Sequence, residues 1–404
     1  DRHPHRRQHD SVYKISDAPP FAPGVEPHQD IYLIMLLPLL LLFVAAVWAV
    51  LLPGPIGSYP VAMRNHHLTD HARVDPYASP PHPLRRILVS VFLPLDPVVY
   101  ADDQVQQVPY MPALTAAEYN RQVERVVPDL KDIFSRFAIG YHRLPTTTQA
   151  SEGYRRKRRS FPVVLFSPGL SASRLMYAVG ARDLASQGYV VITIDHPYEA
   201  SIVEFPDGVV VRGVNISTPA EIRRTVEVRV KDVSFLINSL QSPSVLKSLT
   251  SGFTEEVDVS KIAIYGHSLG GATAAEAMLA DERLLGGMNW DGHMQSGAVV
   301  TKGLDRPFVQ VGVPGRRMVE GSNWPEFYDR LRGPRMELEV ANTTHLSFMD
   351  APMLLTAFEV PSGQRPALEK ALGSIHGRLL RRTLTGILTA SLDFVFKREA
   401  EGWR

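Results

Sequence analysis

The chain has 404 residues, with 43 Lys plus Arg against 42 Asp plus Glu and no cysteine. A charge balance this close to zero provides no basic footprint for nucleic acid, so no nucleic-acid partner is expected. The lack of cysteine excludes disulfides, thiolate metal ligands and a cysteine nucleophile together.

Residues 1–30, rich in His, Arg, Pro and Asp, read as a disordered arm. Residues 31–52, "IYLIMLLPLLLLFVAAVWAVLL", carry no charge, and at roughly 1.5 Å per residue they reach across a hydrocarbon layer of about 30 Å. A transmembrane signal anchor is expected there, with a cleaved signal peptide as the alternative. Arg2, Arg6, Arg7 and Lys14 precede the span and Arg64 alone follows it closely. This bias predicts a cytosolic N-terminus and a main domain in a lumen or outside the cell. A single α/β domain is then expected over 54–404, opened by the helix-breaking "PGPIGSYP".

Within that domain "RRILVSVFLPLD" has strand character, and "TAAEYNRQVERVVPDLKDIFSRF" has helical spacing, with Thr115 and Glu118 fitting a capping box. The basic cluster Arg155–Arg159 reads as a solvated loop guarding the next strand. From "FPVVLFS" onward, short apolar runs alternate with helical segments: "RLMYAVGARDLASQ", "GYVVITID", "TPAEIRRTVEVRVKDVSFLINSLQ", "KIAIYG", "RPFVQVGV" and "RMELEVAN". Continuous apolar strands between helices predict a mostly parallel central sheet covered on both faces. Residues 365–398 look helical.

"YGHSLGG" closes the run "KIAIYG" and precedes the small-residue stretch "GATAAEAMLA". Gly266-His267-Ser268-Leu269-Gly270 matches G-x-S-x-G in the strand-then-helix context that a nucleophile elbow requires. The glycines are needed because a side chain two places either side of the serine would strike neighbouring backbone. Ser268 is therefore the candidate nucleophile. A serine needs a base, and that base needs an acid to orient it. In the α/β-hydrolase order of serine, acid, histidine, the downstream histidines are His293, His345 and His376. His345, in "VANTTHLSFMD" just after a candidate strand, is the expected base. His376 falls within a helical segment, and His293 comes too early. Asp291, Asp305 and Asp350 all have claims as the acid, with position favouring Asp291. Asp305 adjoins the start of its strand, and Asp350 can cap the helix beginning near Pro352. The backbone N–H of Leu269 is one expected oxyanion donor, and "VVLFSPGLSASR" provides a loop in which Gly169 permits close approach and Leu170 offers the other.

Together, "FSPGLSASRLMY", "DLASQGYVV", "DHPYEASIVEFPDG", "YGHSLGGATA", "NWDG" and "THLSFMD" resemble the platelet-activating-factor acetylhydrolase group of α/β-hydrolases, also called group VII phospholipases A2, in its fungal version. "GSYPVAMRNHHLTDHARVDPYA" and "VPYMPALTAAE" extend the likeness over most of residues 54–360. The resemblance implies an α/β-hydrolase fold, the acid at Asp291 with Ser268 and His345, and oxyanion donors at Leu170 and Leu269. It also implies calcium-independent hydrolysis of short or oxidised sn-2 acyl esters of phospholipids, without a cofactor. "HPYEA" at 196–200 departs from the animal enzymes, and so does an anchor in place of a plain secretion signal.

A general carboxylesterase, lipase or polyester hydrolase with the same residues is the alternative enzyme. A non-catalytic, membrane-tethered binding protein is the reading from another class. His3, His5, His9 and the pair His66-His67 are clustered in expected arm and loop without the spacing of a zinc framework, so no metal is expected. Asn215 and Asn342 open N-x-S/T sequons, usable if the domain is lumenal; Asn342 is expected to stay unmodified so near His345.

Overall fold

The architecture follows from a computed structural model that describes residues 49–98, 105–128, 130–144, 158–295, 297–358, 360 and 362–401. Ala49–Arg404 forms one unit. Thirteen strands are described: β1 (Val50–Leu51), β2 (Val61–Val74), β3 (Leu84–Pro94), β4 (Val105–Pro109), β5 (Phe137–His142), β6 (Ser160–Ser167), β7 (Val190–Asp195), β8 (Ile202–Glu204), β9 (Val210–Arg212), β10 (Glu256–His267), β11 (Leu284–Trp290), β12 (Phe308–Gly312) and β13 (Arg335–Glu339).

The main sheet runs β1-β5-β2-β3-β7-β6-β10-β11-β12-β13, with β4 on β5, and β8 pairs β9 as a separate ribbon. From β7 to β13 all pairings are parallel. β3 is antiparallel to both β2 and β7. The sheet is thus mostly parallel, as expected, with antiparallel pairings at β2-β3, β3-β7 and β4-β5 that the apolar pattern does not predict.

Alternation along the central strands splits the core in two. Val164, Phe166, Val191, Ala263, Tyr265, Met288 and Trp290 face one layer, formed with helices Ala178–Ala185 and Gly377–Glu401. Val163, Leu165, Val190, Ile192, Ile194, Ile262 and Ile264 face the other, formed with helices Pro219–Leu240, Leu269–Ala280 and Trp324–Arg330. A strand buried on both faces has no polar side to show, which is why these runs read as continuous apolar stretches. Each fully buried Val, Leu or Ile contributes about 1.5–3 kcal/mol.

Several expectations are corrected. The apolar span cannot run to residue 52: Val50 and Leu51 pair with Phe137 and Ala138, and Leu52, 2% exposed, donates its N–H to the Ala138 carbonyl at 2.8 Å. The sheet edge takes up both the side chains and the backbone hydrogen bonds there, so the domain starts before residue 54. Residues 1–48, with the arm and most of the span, lie outside the described residues; among the described ones no helix is long and apolar enough to cross a membrane. His66 and His67 sit on β2, opposite Val89 and Leu88, and not in a loop. The first described helix begins at Ala113 with Pro112 at its cap position, two residues before the expected Thr115 cap, and Thr115 gives its N–H and hydroxyl to Glu204. Thr218, by contrast, forms a complete capping box with Glu221. Of the basic cluster, Arg158 and Arg159 are described, and Arg159 lies over the Tyr59 ring at 5.4 Å.

Candidate active site

β6, β10, β11, β12 and β13 are neighbours in the parallel part of the sheet, so the loops leaving their C-terminal ends converge on one rim. Ser268 leaves β10 with φ 55° and ψ −122°, a region an L-residue occupies only at a cost of order 1–3 kcal/mol, before helix Leu269–Ala280 begins. Close packing enforces this turn. A Cβ on Gly266 would fall 2.1 Å from the Gly270 carbonyl oxygen, and one on Gly270 would fall 1.9 Å from that of Ser167. Ser268 also donates its N–H to the Trp290 carbonyl at 2.8 Å, tying the elbow to β11.

His345 opens the short 3-10 turn after β13, and its Nε2 lies 2.9 Å from Ser268 Oγ. Its Nδ1 lies 2.6 Å from Asp291 Oδ2. Asp291 follows β11 directly, is fully buried, and is held by its own N–H to the Val311 carbonyl at 2.8 Å. Its Oδ1 accepts from Val313 N–H at 3.0 Å and from Arg316 Nε at 2.6 Å, while Arg316 Nη2 also donates to Oδ2. Burial opposes the charge on Asp291, but the hydrogen bonds from His345, Arg316 and Val313 outweigh it and hold the carboxyl below its ordinary range. The carboxylate is therefore ionised at neutral pH, as orienting and stabilising an imidazolium requires.

The other candidates lie elsewhere. Asp305 is at the surface in an ion pair with Arg332. Asp350 is buried, and its carboxylate does not cap its own helix: it accepts from Tyr110 Oη and from the N–H groups of Val179 and Gly180. His293 Nε2 lies 2.7 Å from Arg316 Nη1, and His376 precedes helix Gly377–Glu401.

Leu269 is the first helical residue after the elbow, so its N–H has no partner within the helix. The Leu170 loop approaches the same point, since a Cβ on Gly169 would lie 3.4 Å from Ser268 Cβ. Neither N–H has a backbone partner among the described residues. Ser268, His345 and Leu170 face a cavity of about 360 Å³ whose walls are mostly apolar, among them Val123, Leu130, Phe134, Leu355, Leu368 and Leu372. Such a cavity accommodates a hydrocarbon chain beside the serine hydroxyl.

Three neighbouring groups escaped the sequence reading. Arg316 lies in the loop "VPGRRM" after β12, a position whose only signal was a strand's C-terminal end. His267 and Tyr177 bond to each other, Tyr177 Oη to His267 Nδ1 at 2.8 Å, and the His267 Nε2 reaches the His345 carbonyl at 2.9 Å. Among the described residues no group of three or more His, Asp or Glu is arranged to hold a metal ion.

The sequence matches the family described as "Platelet-activating factor acetylhydrolase, isoform II" over residues 76–206 and 230–321, spans that include Leu170, Ser268 and Asp291. It is 29% identical over 345 residues to a probable 1-alkyl-2-acetylglycerophosphocholine esterase of Arthroderma benhamiae, covering 80% of each chain. It is 25% identical over 211 residues to the platelet-activating factor acetylhydrolase of Cavia porcellus, covering 47% of this chain and 48% of that one. In three dimensions it resembles a ferulic acid esterase from Streptomyces cinnamoneus, with TM-score 0.64 and 26% identity over 85% of this chain and 92% of that chain. With a family match over more than half its length and an esterase sharing its fold, the chain belongs to the platelet-activating factor acetylhydrolase family of carboxylic ester hydrolases.

Proposed function

We propose that the protein is a serine esterase that removes short or oxidised sn-2 acyl groups from phospholipids, in the manner of a 1-alkyl-2-acetylglycerophosphocholine esterase, with Ser268 as nucleophile, His345 as base and Asp291 as acid. The observation that carries this reading is the continuous hydrogen-bonded string from Asp291 through His345 to Ser268 at the mouth of an apolar cavity. Ser268 Oγ attacks the ester carbonyl carbon while its proton passes to His345 Nε2. Asp291 stabilises the imidazolium, and the N–H groups of Leu170 and Leu269 bind the oxyanion. Collapse expels the alcohol, which takes the proton from His345. Water then loses a proton to His345, attacks the acyl-enzyme, and releases the carboxylic acid and free serine. No step calls on a cofactor.

Purified Ser268→Ala is expected to lose at least about a thousandfold in kcat on a short-chain phospholipid ester; turnover at the wild-type rate refutes the assignment. The likeness to a ferulic acid esterase supports a second reading, a broader carboxylesterase with the same residues. Comparing a short-chain phospholipid with its matched p-nitrophenyl ester separates the two, because only the phospholipid offers a head group. The same proposal keeps the apolar stretch up to residue 48 as a membrane anchor, with the hydrolase domain lumenal or extracellular. Its uncharged composition supports this. Full-length protein then stays with membranes in alkaline carbonate, and release into the supernatant rejects the anchor.

A further inference from the structure

Behind the loop that carries Leu170 lies a buried ionic cluster. Arg229, on helix Pro219–Leu240 and 1% exposed, donates from Nη1 to the Pro168 carbonyl at 2.5 Å and from Nη2 to the Gly169 carbonyl at 3.3 Å. Its Nε donates to Glu199 Oε2 at 2.5 Å, and the Glu199 backbone carbonyl accepts the N–H of Ser171 at 3.1 Å. Beside it, Arg85 pairs with Asp232 and Asp75, and Asp232 Oδ2 lies 2.9 Å from His196 Nδ1. His196 Nε2 lies 3.1 Å from Ser167 Oγ. This second Ser-His-Asp string is sealed from solvent at all three residues, so no ester reaches it; it supports the strand end instead.

The cluster therefore grips Ser167, Pro168, Gly169 and Ser171, while the N–H of Leu170 has no partner among the described residues. In a trans peptide the C=O and N–H point in opposite directions. A guanidinium that holds the Gly169 oxygen on the inner side of the loop turns the Leu170 N–H to the outer side. Ser268 is beside this peptide: a Cβ on Gly169 would be 3.4 Å from both Ser268 Cβ and His267 Nδ1, and Leu170 and Ser268 line the same cavity. The preceding peptide follows the same rule: the Pro168 oxygen meets Arg229, and the Gly169 N–H meets Tyr177 Oη at 3.3 Å.

We propose that Arg229, oriented by Glu199, is the positioning residue of the oxyanion hole: it fixes the Gly169-Leu170 peptide so that the Leu170 N–H is preorganised toward the tetrahedral intermediate. Guanidinium is suited to this because its planar fork serves two adjacent carbonyls and one carboxylate at once, which an ammonium cannot do in one fixed geometry. The inference rests on the assignment of Ser268 and the Leu170 donor above.

The test uses the full chain carrying Arg229→Lys, and in parallel Arg229→Gln with Glu199→Gln, which removes both charges together and leaves neither buried alone. Each is assayed on p-nitrophenyl acetate and for inhibition by a trifluoromethyl ketone, whose tetrahedral adduct places an oxyanion on the same donors. Loss of one oxyanion donor costs about 10²–10³ in kcat, and partial misorientation is expected to cost about 10–100-fold, with KM within about threefold. Ketone affinity should fall by the same factor as kcat/KM. Wild-type kcat and ketone affinity in a folded variant overturn the proposal, as does a loss confined to KM. If neither variant accumulates as folded protein, the cluster serves stability and the proposal also falls. An active Ser268→Ala defeats the underlying assignment; an inactive Ser268→Ala beside a fully active Arg229→Lys defeats this proposal alone.

Discussion

His267 and His345 lie ring against ring, their centroids 4.6 Å apart, and His267 Nε2 reaches the backbone carbonyl of His345 at 2.9 Å. A carbonyl only accepts, so the His267 proton is on Nε2 and its Nδ1 accepts from Tyr177. Burial depresses the His267 pKa to about 3, which keeps the ring neutral beside His345. The residue before Ser268 thus anchors the loop that carries His345. We expect His267→Phe, which keeps the ring but loses the donor, to lower kcat about tenfold with little change in KM, and His267→Gln to recover part of the loss. Equal kcat values for the Phe and wild-type enzymes would contradict this role.

Arg316 holds both oxygens of Asp291. Replacing it with Met removes the cation that keeps this carboxyl ionised, so Asp291 takes up a proton at higher pH than in the wild type. In Arg316→Met the acid-side fall of kcat/KM should move to higher pH and the plateau should drop about tenfold. A pH-rate profile superimposable on the wild type rules this out.

Gly270 and Gly386 make a matched pair. A methyl on Gly270 would overlap the Ser167 carbonyl at 1.9 Å, whereas one on Gly386, within helix Gly377–Glu401, meets nothing within 4 Å. Gly270→Ala should lose more than about 3 kcal/mol or fail to accumulate, and Gly386→Ala should gain about 0.5–1 kcal/mol. Chemical denaturation measures both; a tolerated Gly270→Ala would mean the elbow is looser than described.

Ala371 lines the apolar cavity together with Leu355 and Leu372. Ala371→Phe should reduce kcat/KM for an octanoyl ester at least about tenfold relative to the acetyl ester. Parallel losses on both chain lengths would show that the cavity does not take the acyl chain.

Two buried histidines set a pH trend in stability. Burial lowers His196 to about 4 and His267 to about 3, both below the unfolded value of 6.5. The unfolded chain therefore binds more protons between these values, and stability falls as pH drops through that window while remaining full above it. From pH 7.5 to 5 each contributes a loss of about 2 kcal/mol. Denaturant titrations at the two pH values check this, with His196→Gln expected to show the shallower dependence; identical slopes would exclude His196 as a source.

The local sequence determined what depends on neighbours along the chain. Uniform apolar runs such as "FPVVLFS" announced strands covered on both faces, and the glycines around Ser268 announced a turn too tight for side chains. Thr218 and Glu221 formed a capping box because both partners lie within one turn of helix. "LLGGMNW" gave no such signal, because two glycines interrupt the apolar run of a strand whose pairing with β10 and β12 supplies what propensity lacks. β2 was equally illegible: its His-rich sequence becomes a strand through eleven paired positions on β3.

At the site, order along the chain proposed Ser268 and His345, but it left three aspartates open until family resemblance chose among them. Only the fold separates them physically, by placing Asp291 2.6 Å from the imidazole, Asp350 under Tyr110 and Asp305 at the surface with Arg332. Arg316, Tyr177 and Arg229 act on this site through contacts between residues 25 to 90 positions apart. Such contacts follow from which strands lie side by side in the sheet, and no window of sequence contains that information.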